Sequence, residues 1–187
     1  MARLIRRKIP EVKPGRLIVA GPGDATEYAS PPSSHPIYAM IGEIAMRWSF
    51  IEELLDHCIG MLADTGPEIT ACITAQMIGH TPRCLSIRAL AHWRGLPDIE
   101  KEAARLQQTL FDASDLRNRA VHDRLLIETK EKTLFKMRRM SKKELDYGLK
   151  EFDEKEFSRA IQIIESRRID CAKLSAMIHN QVYEFHT

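Results

Sequence analysis

The sequence predicts a mainly α protein, an antiparallel helical bundle of about five helices with a small β-hairpin inserted before the last one. Three observations carry this expectation. Apolar residues recur at spacings of three and four from residue 37 to residue 122 and again from about 154 to 183. Between those stretches the period changes, and LLIETKEKTLFKMRR, residues 125–139, alternates around a turn at Lys130-Glu131-Lys132. The links between helical stretches are short, which makes antiparallel neighbours the default packing.

Residues 1–35 open with Arg3, Arg6, Arg7 and Lys8 and run on through GPGDATEYASPPSSHP, which has almost no large apolar side chains. Such a segment buries too little surface to offset ordering entropy, so it is expected to be a flexible arm, with residues 36–187 as the folded domain. From Ile37 to about Asp64, the residues Ile41, Ile44, Trp48, Ile51, Leu55, Cys58 and Leu62 form one stripe of a long helix. Pro67 opens a second helix, 67–79, whose nearly unbroken apolar content predicts burial on most sides. Gly79 stops it, Thr81-Pro82 begins a third helix to about Arg94, and Asp98 is expected to cap the fourth. That helix passes through Ala103, Leu106, Leu110 and Ala113 into DLRNRAVHDRL, residues 115–125. After the hairpin, Leu145–Leu149 is a candidate third strand. Asp153-x-x-Glu156 has capping-box spacing ahead of a last helix built on Phe157, Ile161, Ile164, Cys171, Ile178 and Val182.

Composition narrows the function. At 187 residues, with 44% hydrophobic and 29% charged, the chain has the size and make-up of one globular domain. A net charge of +2 is too small for a whole-protein attraction to polyanions, so a nucleic-acid argument must rest on a local patch. Apolar runs are too short for a membrane span, and Leu17-Ile18-Val19-Ala20 is too short for a signal-peptide core, which predicts a cytoplasmic protein with no membrane partner. Cys58, Cys72, Cys84 and Cys171 are widely spaced in apolar surroundings and are expected as buried thiols in a reducing compartment. His57 and Cys58 diverge on a helix, and His80 with Cys84 is a lone i, i+4 pair, so no metal site is expected. Phosphate-loop and dinucleotide fingerprints are absent and no cofactor is expected. His92 and His179 are expected as partly buried helix residues.

The fourth helix ends unusually. At 100° per residue, Arg117 continues the apolar line of Leu106, Leu110 and Ala113, whereas Asn118 and His122 lie four apart on a neighbouring face. A guanidinium stays charged, so an inward Arg117 needs a carboxylate, a phosphate or a water-filled cleft. Glu52, between Trp48 and Leu55 at the edge of the first helix's stripe, is the internal candidate for a structural ion pair or a shared pocket lining.

Arg117-Asn118-x-x-x-His122 near the end of a bundle helix resembles the R-x(4–6)-H motif of HEPN domains, all-α bundles of which many are metal-independent ribonucleases of bacterial conflict and defence systems. Trp48-x-x-x-Glu52 well upstream is similar to one uncharacterised bacterial group in that superfamily. The resemblance covers roughly residues 36–183. It implies that His122 acts as base or acid on the 2′-hydroxyl or leaving 5′-oxygen, that Arg117 binds the scissile phosphate, and that Asn118 holds the histidine or the phosphate. It also implies a homodimer bringing two motifs into one cleft, RNA as substrate, and an antitoxin or other protein as a further partner. Glu52 would then orient Arg117. The alternative is an ordinary helix terminus with Arg117 paired to Glu52, in a non-catalytic module that dimerises or binds a nucleotide or protein.

Residues 124–143 carry eight basic side chains, among them Arg124, Lys136, Arg138 and Arg139, against two acidic ones. These four are the expected RNA-binding residues, as a basic flap suits a phosphate backbone. A lysine-rich hairpin is also how edge strands avoid aggregation.

Overall fold

A computed structural model describes residues 16–20, 25–141 and 145–183; the side chains of residues 16–25 and 138–147 lie outside that description. Five helices account for most of the described chain: α1 (Ile37–Ala63), α2 (Pro67–Thr74), α3 (His80–Trp93), α4 (Pro97–His122) and α5 (Glu154–Tyr183). Five strands accompany them: β1 (Arg16–Ala20), β2 (Ala25–Ala29), β3 (Arg124–Glu128), β4 (Leu134–Ser141) and β5 (Leu145–Glu151). The mainly helical class with a β element before the last helix is as expected. Among the described residues, 36–122 and 153–183 make a helical unit, and 16–20, 25–35, 123–141 and 145–152 make a separate compact unit.

The helical unit is organised by the stripe read from the sequence. Ile44, Ile51, Leu55, Cys58 and Leu62 of α1 are fully buried, as are Ile87 of α3, Leu106 and Leu110 of α4, and Ile164, Leu174 and Ile178 of α5. Each large aliphatic side chain removed from water contributes about 1.5–3 kcal/mol, which is what holds the bundle against chain entropy. α4 runs antiparallel to α3 and α5: Arg88 and His92 of α3 meet Gln107 and Glu100 respectively, while Asp170 of α5 meets Arg105 and the earlier Glu156 and Arg159 share a small concavity with the later Asp115 and Arg119 of α4. At the start of α5, Asp153 Oδ1 accepts the Lys155 amide at 2.9 Å, giving the N-cap that its sequence position predicts. α4 begins at Pro97, one residue before the expected cap, so Asp98 sits in the first turn, where its charge complements the helix dipole.

α2 departs from expectation. It is shorter than the predicted 67–79 and it turns its polar side inward: Thr70 and Thr74 are buried, while Ile69 and Ile73 are 58% and 43% exposed. Gly60 of α1 explains this orientation. A Cβ there would stand 2.6 Å from Thr70 Oγ1, so α2 approaches α1 at a distance that only a small residue permits. The buried hydroxyl is satisfied because Thr70 Oγ1 donates to the Gly66 carbonyl at 3.0 Å and lies 3.0 Å from Thr65 Oγ1. Gly79, with φ of 76°, supplies the left-handed turn into α3.

The sheet unit is larger than a hairpin. Its five strands run in the order β1-β2-β3-β4-β5, each antiparallel to the next. The β3–β4 turn is where the sequence places it, with Lys132 at φ 61° and the Lys132 amide donating to the Glu128 carbonyl at 3.0 Å. The flexible arm is corrected over its described part: residues 16–20 and 25–29 are strands. β2 is fixed to β3 by Tyr28 opposite Glu128 and by the Thr129 amide donating to the Glu27 carbonyl at 3.0 Å. Tyr28 also packs edge-on against Phe135, with ring centroids 5.5 Å apart. The expectation for residues 1–15, including Arg3, Arg6, Arg7 and Lys8, falls outside the described residues. Consequently the boundary near residue 36 divides two units and does not separate an arm from a domain.

Candidate functional site

The motif occupies the last turns of α4. Ala113 and Ala120 are buried, Arg117 between them is half-buried, and Asn118 and His122 are exposed. The faces therefore fall as helical geometry predicts, with Arg117 continuing the inward line and the other two turned to solvent. Arg117 Nη1 donates to Asn118 Oδ1 at 2.9 Å. Its Nε is sealed from solvent and has no hydrogen-bond acceptor among the described residues. His122 makes no hydrogen bond among the described residues. Five residues of helix separate Arg117 from His122, so their Cα–Cβ directions stand about 140° apart around the α4 axis.

Glu52 does not meet Arg117. Its Oε1 accepts a hydrogen bond from Trp48 Nε1 at 3.1 Å, and its charge acts on His80, whose ring sits edge-on to Trp48 at 5.9 Å. His80 lies against the main chain of Gln107, ten residues before Arg117 on α4. At 1.5 Å per residue, that places the Glu52 level about 15 Å from Arg117 along the axis. Facing direction was correctly inferred for both residues; height along the bundle was not. Glu52 is thus corrected from an orienting partner of Arg117 to the acceptor in a Trp48–Glu52–His80 cluster. Burial pushes the His80 pKa down, opposed by the Glu52 charge and by the Gln107 main chain.

With Glu52 elsewhere, Arg117 has no carboxylate within ion-pair distance among the described residues. Several other arginines of the bundle are matched to carboxylates, although Arg88, whose Nε is likewise sealed and unbonded, meets only the neutral Gln107 among the described residues. Arg47 bonds Glu43 and Glu165, Arg105 bonds Glu102, and Arg168 bonds Glu165, whose carboxyl is held down at about 2 chiefly by the Arg168 hydrogen bonds. Arg83 is closed on Asp56 at 2.7 Å and also donates to the carbonyls of Met77 and Gly79, so it staples the α2–α3 link and has no donor edge to spare.

The expected basic flap divides. Arg124 is exposed, as an RNA contact requires. Lys136 is only 3% exposed and is corrected: paired opposite Leu125 in β4, its ammonium is not a surface contact for a phosphate backbone. Arg138 and Arg139 lie in β4, but their side chains fall outside the described residues.

Cysteine chemistry has little support. Cys58, Cys84 and Cys171 are buried as expected, and burial pushes the first two up to about 12 and Cys171 up as well. Cys72, by contrast, is exposed on α2. His92 and His179 are exposed rather than partly buried; the buried histidine is His80.

Sequence reasoning missed a sizeable concavity. A groove of about 1110 Å³ runs along α1 and α2 to the end of α5, with Phe50, Leu54, Met61, Ala71 and Tyr183 among its lining residues. None of Arg117, Asn118 and His122 lines it. The available signal was the pair Gly60 and Thr70, a small residue and a hydroxyl at a helix crossing, which together invert α2.

Comparison with known proteins gives no relative. No protein-family model, curated protein or solved structure matches the chain. Among the described residues no helix is long and apolar enough to cross a membrane, and no group of three or more His, Cys, Asp or Glu is placed to hold a metal ion.

Proposed function

We propose that the protein is a metal-independent endoribonuclease of a bacterial defence or toxin type, working in the cytoplasm as a HEPN-like homodimer. The observation that carries this reading is the guanidinium of Arg117, half-buried and without a carboxylate among the described residues, on the same helix end as exposed His122. A partly desolvated arginine with no internal carboxylate leaves room for an external oxyanion, and a phosphodiester supplies one. His122 takes the proton of the RNA 2′-hydroxyl as its oxygen attacks phosphorus. Arg117 stabilises the charge growing on the phosphoryl oxygens, and a protonated imidazole returns a proton to the leaving 5′-oxygen. The products are a 2′,3′-cyclic phosphate and a 5′-hydroxyl. Because Arg117 and His122 diverge around α4, the arginine of one copy would serve the histidine of the other, which is why the reading includes a dimer. An exposed Arg124, two residues beyond His122 in the sequence, suits the flanking phosphate backbone.

A second reading has its own observation. The α1–α2 groove favours a non-catalytic module that binds a partner protein, an antitoxin among them, through an apolar surface. One experiment separates the two: incubate purified protein with RNA in excess chelator and look for fragments ending in 2′,3′-cyclic phosphate. The nuclease reading expects cleavage by the native protein and its loss in His122→Ala; equal cleavage by both, or none by either, contradicts it.

A further inference from the structure

α2 turns its apolar side to solvent, and that side is continuous with the α1–α2 groove. Thr70 and Thr74 take the inward side of the helix, so the remainder of its circumference is exposed. At about 100° per residue, Ile69 and Ile73 stand about 60° and 100° to one side of Cys72, and Ala75 and Ala71 about 60° and 100° to the other. The isoleucines make a ridge, and the two alanines line the groove. Residues 69–78, ITACITAQMI, hold no charged side chain. Single apolar residues on a surface need no partner, but a charge-free apolar ridge beside a groove of about 1110 Å³ has the make-up of an interface core.

Shape and area identify the occupant. Ridge and groove wall belong to the same short helix, so a two-fold axis through Cys72 lays the ridge of each copy into the groove of the other, as an isologous contact requires. Phe50, Ile69, Ile73, Ile78 and Tyr183 are 43–93% exposed, and at roughly 150–200 Å² for a large apolar side chain they offer on the order of 500 Å² per copy. With the exposed Ala71, Cys72 and Ala75 alongside, the face approaches the roughly 800 Å² per partner of a stable interface. We infer that a second copy of this chain occupies the groove, the two α2 helices packing about a two-fold axis near Cys72. The contact is distinct from the α4 pairing of the nuclease reading and does not depend on it. Asp56 meets Arg83 and the Leu62 carbonyl meets Arg94, so α1 and α3 run parallel and the groove extends from the Glu52 level away from Arg117. It rests on the reading of the groove as an interaction surface and puts this chain in the place of an unrelated partner. It also gives the outward isoleucines of α2 the burial that so apolar a helix calls for.

The test is the mass in sedimentation velocity of the native chain, of Ile73→Glu on the ridge and of Ala71→Glu on the groove wall, with the circular dichroism of each recorded to confirm the helices. Both substitutions fall on exposed positions, and each is expected to halve the native mass with the helical signal unchanged. The halving runs from dimer to monomer if the α2 contact acts alone, and from tetramer to dimer if the α4 pairing forms as well. Diamide, a thiol oxidant, is expected to link native chains in pairs through Cys72, and Ile73→Glu should lose that product although it keeps the cysteine. A native mass in both variants, with bis-ANS bound by the native protein and released by Ile73→Glu, overturns the self-contact and leaves the groove to another protein. A native mass in both variants without bis-ANS binding overturns the groove reading as well.

Discussion

Replacing Gly60 by alanine sets two effects of known size against each other at the α1–α2 crossing. Alanine in place of glycine within a helix gains about 0.5–1 kcal/mol from reduced unfolded-chain entropy. The new Cβ, however, would lie 2.6 Å from Thr70 Oγ1 and 3.2 Å from its Cγ2. Thr70 can relieve the first contact only by rotating χ1, which gives up its hydrogen bonds to Gly66 and Thr65, or by pushing α2 away from α1. Either response costs about 1–3 kcal/mol, the range for overpacking and for an unmade buried hydrogen bond. The net expectation is a loss of up to about 2.5 kcal/mol, or up to roughly 10 °C in Tm for a chain of this length. Thr70→Ala removes the clashing atoms, so in that background Gly60→Ala should stabilise by about 0.5–1 kcal/mol. Chemical denaturation of the four proteins reads the cycle. The same destabilisation by Gly60→Ala in both backgrounds would refute the close approach as the reason α2 hides its threonines.

Other consequences are equally direct. Asp56→Ala leaves the buried Arg83 guanidinium without its carboxylate and should cost about 3 kcal/mol by urea titration, while Asp56→Leu with Arg83→Met should recover most of the loss. Burial lowers the His80 pKa below its ordinary 6.5, so as pH falls past that value the unfolded chain takes up a proton before the folded one does. Stability should therefore be complete above about pH 6.5 and decline below it, and His80→Gln should flatten that decline; an unchanged slope would contradict the cause. Among the thiols, Cys72 alone should react with a disulfide reagent in the folded protein, the other three appearing only on unfolding; fast native-state labelling of Cys58 or Cys171 would count against their burial.

The helices of the bundle were legible because each long one carries a complete amphipathic stripe, and Ile44, Ile51, Leu55 and Leu62 are buried where that stripe puts them. What the sequence concealed was non-local. β2 pairs with β3 a hundred residues later, through Tyr28 and Glu128, and nothing local to ATEYA announces that partner. The 35-residue composition also diluted the β-branched pair Ile18-Val19, now within β1. α2 misled because apolar content predicts burial only when the helix can turn that content inward, and Gly60 with Thr70 turned it outward. At the candidate site, periodicity gave the faces of Arg117, Asn118 and His122 correctly. The Glu52 pairing failed because a face fixes an angle around the helix axis, not a height along it. Lys136 failed similarly: a basic residue in a strand is a surface contact only if its side of the sheet is open.

The most direct measurement of the central claim, that Arg117 and His122 act on one phosphate, is subunit mixing. Arg117→Ala and His122→Ala proteins are each expected to be inactive on RNA in excess chelator. Unfolded together and refolded at equal concentration, half the dimers pair one of each, and one of the two Arg117–His122 pairs that meet in the cleft of such a dimer is intact. The account predicts recovery of about a quarter of native cleavage, with 2′,3′-cyclic phosphate ends. No recovery, from variants that refold and still dimerise, would contradict it.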